Sequence, residues 1–157
     1  MVRDPITVVG VIADTHGLLR PAAVAALQGC AAIVHAGDIG KRELLTSLAG
    51  IARLTAIRGN VDMQWARTLP DTAELTVDGR KFFVLHNLRE LTFDPALAGI
   101  DVVVSGHSHA PRIARKAGVL YVNPGSAGPR RFRLPVTVAR ITLTTDAIDA
   151  EIVDLPT

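Results

Sequence analysis

The sequence predicts an α/β fold: a four-layer α-β-β-α sandwich of two mixed sheets packed face to face with helices outside. Three observations lead there. In the first half, apolar β-branched runs alternate with Ala- and Leu-rich helical segments, the pattern of parallel strands joined by right-handed crossovers. In the second half, strand pairs joined by short turns take over, which adds antiparallel pairing. Across the whole, 48% of the 157 residues are apolar and only 4% aromatic, so an ample core is packed mainly with Val, Leu, Ile and Ala. A single domain over residues 1–157 is expected.

Residues 6–13 (ITVVGVIA) do not alternate apolar with polar positions, so they read as a strand buried on both faces. Residues 21–28 read as a helix, with Pro21 suited to its first turn and Gly29 to its end. Residues 31–35 form a second strand, 41–48 a second helix stopped near Gly50, and 52–57 a third strand. In such parallel sheets, sites lie beyond the carboxyl ends of the strands. Residues 63–70 are irregular. Residues 73–77 and 81–85 then flank Asp78-Gly79, a strong hairpin signal. Residues 94–98 are a short helix at most, and 101–105 (DVVVS) another buried strand. Two further hairpins follow. Residues 112–114 and 120–122 flank a turn at Lys116-Ala117-Gly118, and 136–143 and 147–153 flank Thr145-Asp146.

Formal net charge is +2, too small to argue for a nucleic-acid or membrane partner, so no stable nucleic-acid complex is expected. No run approaches the roughly 20 apolar residues of a membrane span. The first apolar run is short and leads straight into polar residues of interest, so it is read as a strand and not as a signal peptide. Cys30 is the single cysteine, which rules out an intramolecular disulfide, fits a reducing, cytoplasmic setting and reads as a small buried residue.

Seven residues carry the chemical signal. They are Asp14 and His16 in ADTHG, Asp38 in HAGDIG, Asn60 in RGNVD, His86 in VLHN, and His107 and His109 in SGHSH. Each cluster but one directly follows an apolar run, and the exception is offset by Arg58 alone. Strands that each deliver an oxygen or imidazole donor at one sheet edge build a metal cage, and two metals in one cage serve phosphoryl chemistry. The i, i+2 pairs Asp14/His16 and His107/His109 are expected to use the side-chain alternation of an extended segment. Imidazole and oxygen donors without thiolate suit Mn, Fe, Zn, Ni or Co better than Mg or Ca.

The motif order D-x-H, G-D, G-N-x-D, H, G-H-x-H, followed by NPGS at Asn123 to Ser126, resembles the calcineurin-like metallophosphoesterase superfamily, most closely its small bacterial and archaeal phosphodiesterases. The resemblance covers nearly the whole chain. It implies one metal held by Asp14, His16, Asp38 and His109, and a second by Asp38, Asn60, His86 and His107, with Asp38 bridging and Mn²⁺ the usual activating ion. It further implies that a hydroxide shared by the ions attacks phosphorus, with Asp38 and Asn60 acting through the metals. The expected substrate is a small soluble phosphate ester or nucleotide. Copies of small relatives often pair, so a homo-oligomer is an open expectation. Two divalent ions less two carboxylates and one hydroxide leave a charge of about +1, which a phosphodiester monoanion neutralises and a monoester dianion overshoots. The alternative function is a non-catalytic interaction scaffold on the same fold.

The sequence departs from the family pattern in three places. Val61 stands where many relatives carry His as a general acid, so no protein general acid is identified and a bias toward good leaving groups such as aryl alcohols is expected. Asn87 stands where Gly is usual, and Ser108 where Thr is commoner. Among the remaining residues, His35 is expected to brace the Asp38 loop. Asp62 orients a ligand or Arg58, or caps a loop. Asn123 ties a turn. Trp65 stacks on a base or aryl group, or covers the core or a dimer contact. Arg130, Arg131 and Arg133 form a solvated cluster or steer substrate phosphate.

Overall fold

The computed structural model of the chain describes residues 5–62 and 65–157. Residues 63 and 64, at the start of the stretch read as irregular, lie outside them; of the rest, residues 65–68 form turns and 69–70 are irregular. The first sheet contains β1 (Thr7–Ile12), β2 (Ala32–His35), β3 (Arg53–Ala56), β9 (Thr137–Leu143) and β10 (Ile148–Asp154) in the order β10-β9-β1-β2-β3. The second contains β4 (Thr72–Val77), β5 (Arg80–Leu85), β6 (Val102–Val104), β7 (Arg112–Lys116) and β8 (Val119–Asn123) in the order β4-β5-β6-β8-β7. Each sheet contains a run of three parallel strands: β1, β2 and β3, ending at the edge strand β3, in one, and β5, β6 and β8 in the other. The remaining strands are added antiparallel, so both sheets are mixed as the sequence predicts.

Strand alternation divides the apolar side chains between layers. Val9, Val11, Val34, Ala139 and Ile141 of the first sheet meet Leu75, Phe82, Val84, Val102, Val104 and Leu120 of the second in one buried cluster. The opposite face of the first sheet is covered by α1 (Pro21–Ala26) and α2 (Arg42–Ala49). There Ala23, Leu44 and Leu48 pack with Leu27 over Ile12, Ile33 and Val138. Cys30 is buried in the same cluster, as expected, and Trp65 packs against it, which selects the core reading for that side chain.

The outer face of the second sheet carries a thinner cover. Leu85, Val103 and Val119 lie beneath Ile100, Leu91 and Ala96, which belong to turns around a 3₁₀ segment, Leu88–Glu90. The short helix considered for residues 94–98 closes only a single helical turn, Ala98 N–H to Asp94 C=O at 3.1 Å. A segment this short cannot repay helix nucleation, and Gly99 leaves it in the left-handed region at φ +76°. Asp78-Gly79 and Ala117-Gly118 both carry positive φ at the two central positions, the twist a tight hairpin requires. Among the described residues no helix is long and apolar enough to cross a membrane.

Candidate metal centre

The parallel strands place the candidate donors. β1 delivers Asp14 and His16 beyond its carboxyl end, β2 delivers Asp38, β3 Asn60, β5 His86, and β6 His107 and His109. The loops continue the pairing of their strands: Asp14 N–H donates to Gly37 C=O at 3.0 Å, and His16 N–H to Asp38 C=O at 3.0 Å. In the second sheet, Gly106 N–H beyond β6 donates to His86 C=O beyond β5 at 2.9 Å. Main chain thus ties the donor loops within each sheet, and the Asp14 carboxylate joins the two sheets by accepting from His107 N–H at 3.0 Å.

Five of the seven side chains converge. Asp38 Oδ2 lies 3.2 Å from His86 Nε2 and 3.8 Å from His16 Nε2. Asp14 Oδ1 lies 3.8 Å from His86 Nε2 and 3.7 Å from His109 Nε2. Two overlapping groups result, Asp14/His16/His109 and Asp14/Asp38/His86, each with its ligand atoms within 4.8 Å of one another. His107 stands outside both, its ring edge-on to His86 with centroids 5.2 Å apart. Asn60 is exposed at the rim, where it lines a cavity together with His86.

Asp14 Oδ1, His16 Nε2 and His86 Nε2 are buried and make no well-formed hydrogen bond. Buried polar atoms are rarely left so, and three around one space call for a cation. His86 has its second nitrogen occupied: Nδ1–H donates to Ala36 C=O at 2.7 Å, which aims Nε2 at the carboxylates. Burial opposes charge on the ring, but Asp38, the Ala36 carbonyl and Asp14 outweigh it and raise the His86 pKa. Small residues make the room. A Cβ at Gly37, itself at φ +99°, would lie 2.7 Å from His86 Nδ1, and one at Gly59 would collide with the Asp38 carboxylate. Oxygen and imidazole donors in this state fit divalent transition-metal ions.

The i, i+2 pairs do not converge as extended segments, and that expectation is corrected. Asp14, His16, Asp38, His107 and His109 all occupy the left-handed region, with φ between 46° and 72°. They are five of the eight non-glycine residues found there among the described residues. Left-handed turns fold Asp14, His16, Asp38 and His109 inward and leave His107 beside His86, at a backbone cost that clusters at functional sites.

Residues behind the donors hold this geometry. His35 Nδ1 accepts from Gly37 N–H at 3.1 Å, so Nε2 carries the proton toward Thr15 Oγ1 at 3.0 Å. The Thr15 hydroxyl in turn donates to Ile39 C=O at 2.8 Å. His35 thus braces the Asp38 loop as expected, and burial pushes its pKa down to about 3, so it stays neutral. Asp62 is fully buried and accepts from the N–H groups of Ile39, Gly40 and Gly59 at 2.9–3.1 Å, which clamps the Asp38 loop to the Asn60 loop. Arg58 turns instead to Asp71 at 2.6 Å. Asn123 Oδ1 ties its own turn at Gly125 N–H, while Nδ2 donates to Gly106 C=O and Ser108 Oγ in the GHSH loop. The Ser126 hydroxyl donates to Asp14 C=O at 2.9 Å. Thr15 and Ser126 escape sequence reasoning; their only trace is a place inside the DTH and NPGS motifs.

Burial, only partly offset by His86, raises the Asp14 carboxyl from 3.8 to about 7. Burial also opposes charge on Asp38, but His86 and the Val61 N–H outweigh it and hold that carboxyl near 2. In the metal-free chain the raised value means that protonated Asp14 favours the folded state. That contribution is complete below the usual 3.8 and is lost as pH rises through about 7. A bound cation would take the proton's place. Loading with Mn²⁺ at pH 6 is expected to release at least about one more proton per chain than at pH 8, from Asp14 and from His86, whose pKa is raised as well, read by calorimetry in buffers of different ionisation enthalpy. Equal release at both pH values would mean that Asp14 is already ionised in the metal-free chain at pH 6.

Burial lowers His16, and burial with the Arg131 charge lowers His109 to about 4. Arg131 therefore acts on the site electrostatically, while Arg130 turns away to Thr157 Oγ1 at 3.2 Å. Asn87 Oδ1 accepts from Arg89 N–H at 3.1 Å and starts the 3₁₀ turn, one side of the corner that leaves His86.

Residues 8–146 match the model of the calcineurin-like phosphoesterase superfamily domain. A probable metallophosphoesterase of Methanocaldococcus jannaschii is 31% identical over 160 residues, covering 94% of this chain and 81% of that protein. A phosphodiesterase of the same organism is 24% identical over 136 residues, covering 74% of this chain and 82% of that protein. Among solved structures, Vacuolar Protein Sorting 29 from Cryptosporidium parvum superposes with a TM-score of 0.76 at 16% identity, over 97% of this chain and 99% of that one. Two mixed sheets with a donor cage at their carboxyl edges define a metallophosphoesterase fold. The chain belongs to the calcineurin-like phosphoesterase superfamily.

Proposed function

We propose that this chain is a metal-dependent phosphodiesterase acting in the cytoplasm on a small soluble phosphate ester. The observation that carries the reading is the convergence of Asp14, His16, Asp38, His86 and His109 in two overlapping groups, with Asp14 Oδ1, His16 Nε2 and His86 Nε2 buried and without a well-formed hydrogen bond. Asp14, His16, Asp38 and His109 would hold one cation, and Asp38, Asn60, His86 and His107 a second, Mn²⁺ before Fe, Zn, Ni or Co. Two such ions supply an acidified water as nucleophile and positive charge for the phosphoryl oxygens. The protein's own part is to fix geometry. His86, anchored on Ala36, keeps Nε2 aimed inward, and Asp62 holds two donor loops in register. Val61 offers the leaving group no proton, so departure depends on the leaving group's own acidity. A cavity of 680 Å³ beside Asn60 and His86, lined in part by Phe83, Leu85 and Phe93, suits an aryl or similarly flat arm.

The test is hydrolysis of bis-p-nitrophenyl phosphate against p-nitrophenyl phosphate by protein stripped of metal and refilled with Mn²⁺. Mn-dependent cleavage, strongest on the diester, is the expected outcome. Two occupied metal sites with no cleavage of either ester would favour the interaction scaffold.

A further inference from the structure

Two cavities open on either side of the corner formed by His86 and Asn87, and their charges differ. The first, beside Asn60, is lined by two carboxylates, Asp71 and Glu90, and one cation, Arg58, already bound to Asp71. The second, of 1080 Å³, runs from His107 and Ser108 along β7 and β8. It is lined by Arg89, Arg112, Arg115 and Lys116 and by no carboxylate. Arg115 reaches Asp149 at 3.4 Å, whereas Arg89, Arg112 and Lys116 form no ion pair among the described residues.

Strand alternation explains the convergence. Arg112, Ala114 and Lys116 share one face of β7, and Ala114 lies opposite Tyr121 in register. Arg112 lies opposite Asn123, which binds the His107 loop through Gly106 and Ser108. The cations thus begin at the edge of the metal centre and extend roughly 13 Å along the strand to Lys116. Arg89 approaches from the 3₁₀ turn on another element. Unpaired cations gathered in one groove repel each other, and a guanidinium fork matches phosphate oxygens well.

We propose that this second cavity is a subsite for a phosphate group carried on one arm of the substrate. The substrate class follows: a diester with unlike arms, one aromatic beside Phe83 and Phe93, the other phosphate-bearing beside Arg89, Arg112 and Lys116. This rests on the phosphodiesterase reading above and is tested apart from it.

Calorimetry on the Mn²⁺-loaded full chain compares thymidine 3′,5′-bisphosphate with thymidine 5′-monophosphate. The added phosphate is expected to tighten binding by about tenfold in the wild type. That advantage should vanish in the Arg112→Ala/Lys116→Ala double variant and shrink in Arg89→Ala, which alters a separate element. The p-nitrophenyl ester of thymidine 5′-phosphate, with and without a 3′-phosphate, should show the same ratio in KM. Equal affinity for the two nucleotides in the wild type, or an advantage that survives the double variant, overturns the subsite. Tighter binding of a ten-nucleotide single strand through the same side chains overturns it in favour of a nucleic-acid partner. A bisphosphate advantage lost in the variants, with neither ester cleaved, upholds the subsite while the phosphodiesterase reading falls.

Discussion

Replacing Asp38 with Asn is expected to reduce Mn-dependent diester cleavage by on the order of 10³-fold. The argument turns on what the substitution leaves intact. Asp38 sits in the left-handed region at φ 55°, where Asn is at ease. Its Oδ1 accepts from Val61 N–H at 3.0 Å, a bond an amide oxygen can keep. The loop behind it is held by Asp62 and by main-chain bonds from His16 and Asp14. What disappears is a negative charge between His16 and His86, one imidazole from each half of the expected ligand set. Metal stoichiometry should fall with activity, and the melting temperature of the metal-free protein should fall modestly, because the carboxylate held near 2 by His86 and the Val61 N–H is lost. A variant that still binds two ions per chain and cleaves the diester would remove Asp38 from its shared role.

Asp62→Ala is expected to cost about 4 kcal/mol of stability, by the mechanism of buried donors left without acceptors. Ile39 N–H, Gly40 N–H and Gly59 N–H all depend on one carboxylate with no solvent exposure. The melting temperature should drop by roughly 10 °C for a chain of this size. Metal affinity should fall as well, because the Asp38 and Asn60 loops lose their common anchor. Asp62→Asn, which restores an acceptor oxygen but turns an NH₂ toward the same donors, should be intermediate. A drop no larger than that of an exposed substitution would mean that water satisfies these groups and that the clamp is dispensable.

The fold was largely legible because its determinants are local. Apolar runs of strand length, Pro21 and Gly50 at helix limits, and Asp78-Gly79 between two strands each announce an element within a few residues. The donors were legible for the same reason: polar side chains appear where apolar runs stop. What stayed hidden depends on partners distant in sequence. Nothing near Asp62 says that it will meet Gly40, and nothing near Ser126 says that its hydroxyl will cap the Asp14 carbonyl. The left-handed turns at Asp14, His16, His107 and His109 were misread as extended backbone. Residue type permits either conformation there, and only the packing of one loop on its neighbour selects the turn. The thin cover over the second sheet escaped for a similar reason, since a lone turn at residues 94–98 gains nothing from becoming a helix.

The main-chain lacing of the donor loops has an evolutionary corollary. Asp14 to Gly37, His16 to Asp38 and Gly106 to His86 are joined by peptide groups, which every ligand substitution leaves in place. Inheritance of the scaffold is thereby uncoupled from inheritance of the chemistry. A lineage starting from such a chain can shed imidazoles one at a time, fall silent as a catalyst, and still present the same loops and sheet edges for another use. The likeness in fold to Vacuolar Protein Sorting 29 at 16% identity shows how far sequence can change while the frame is kept.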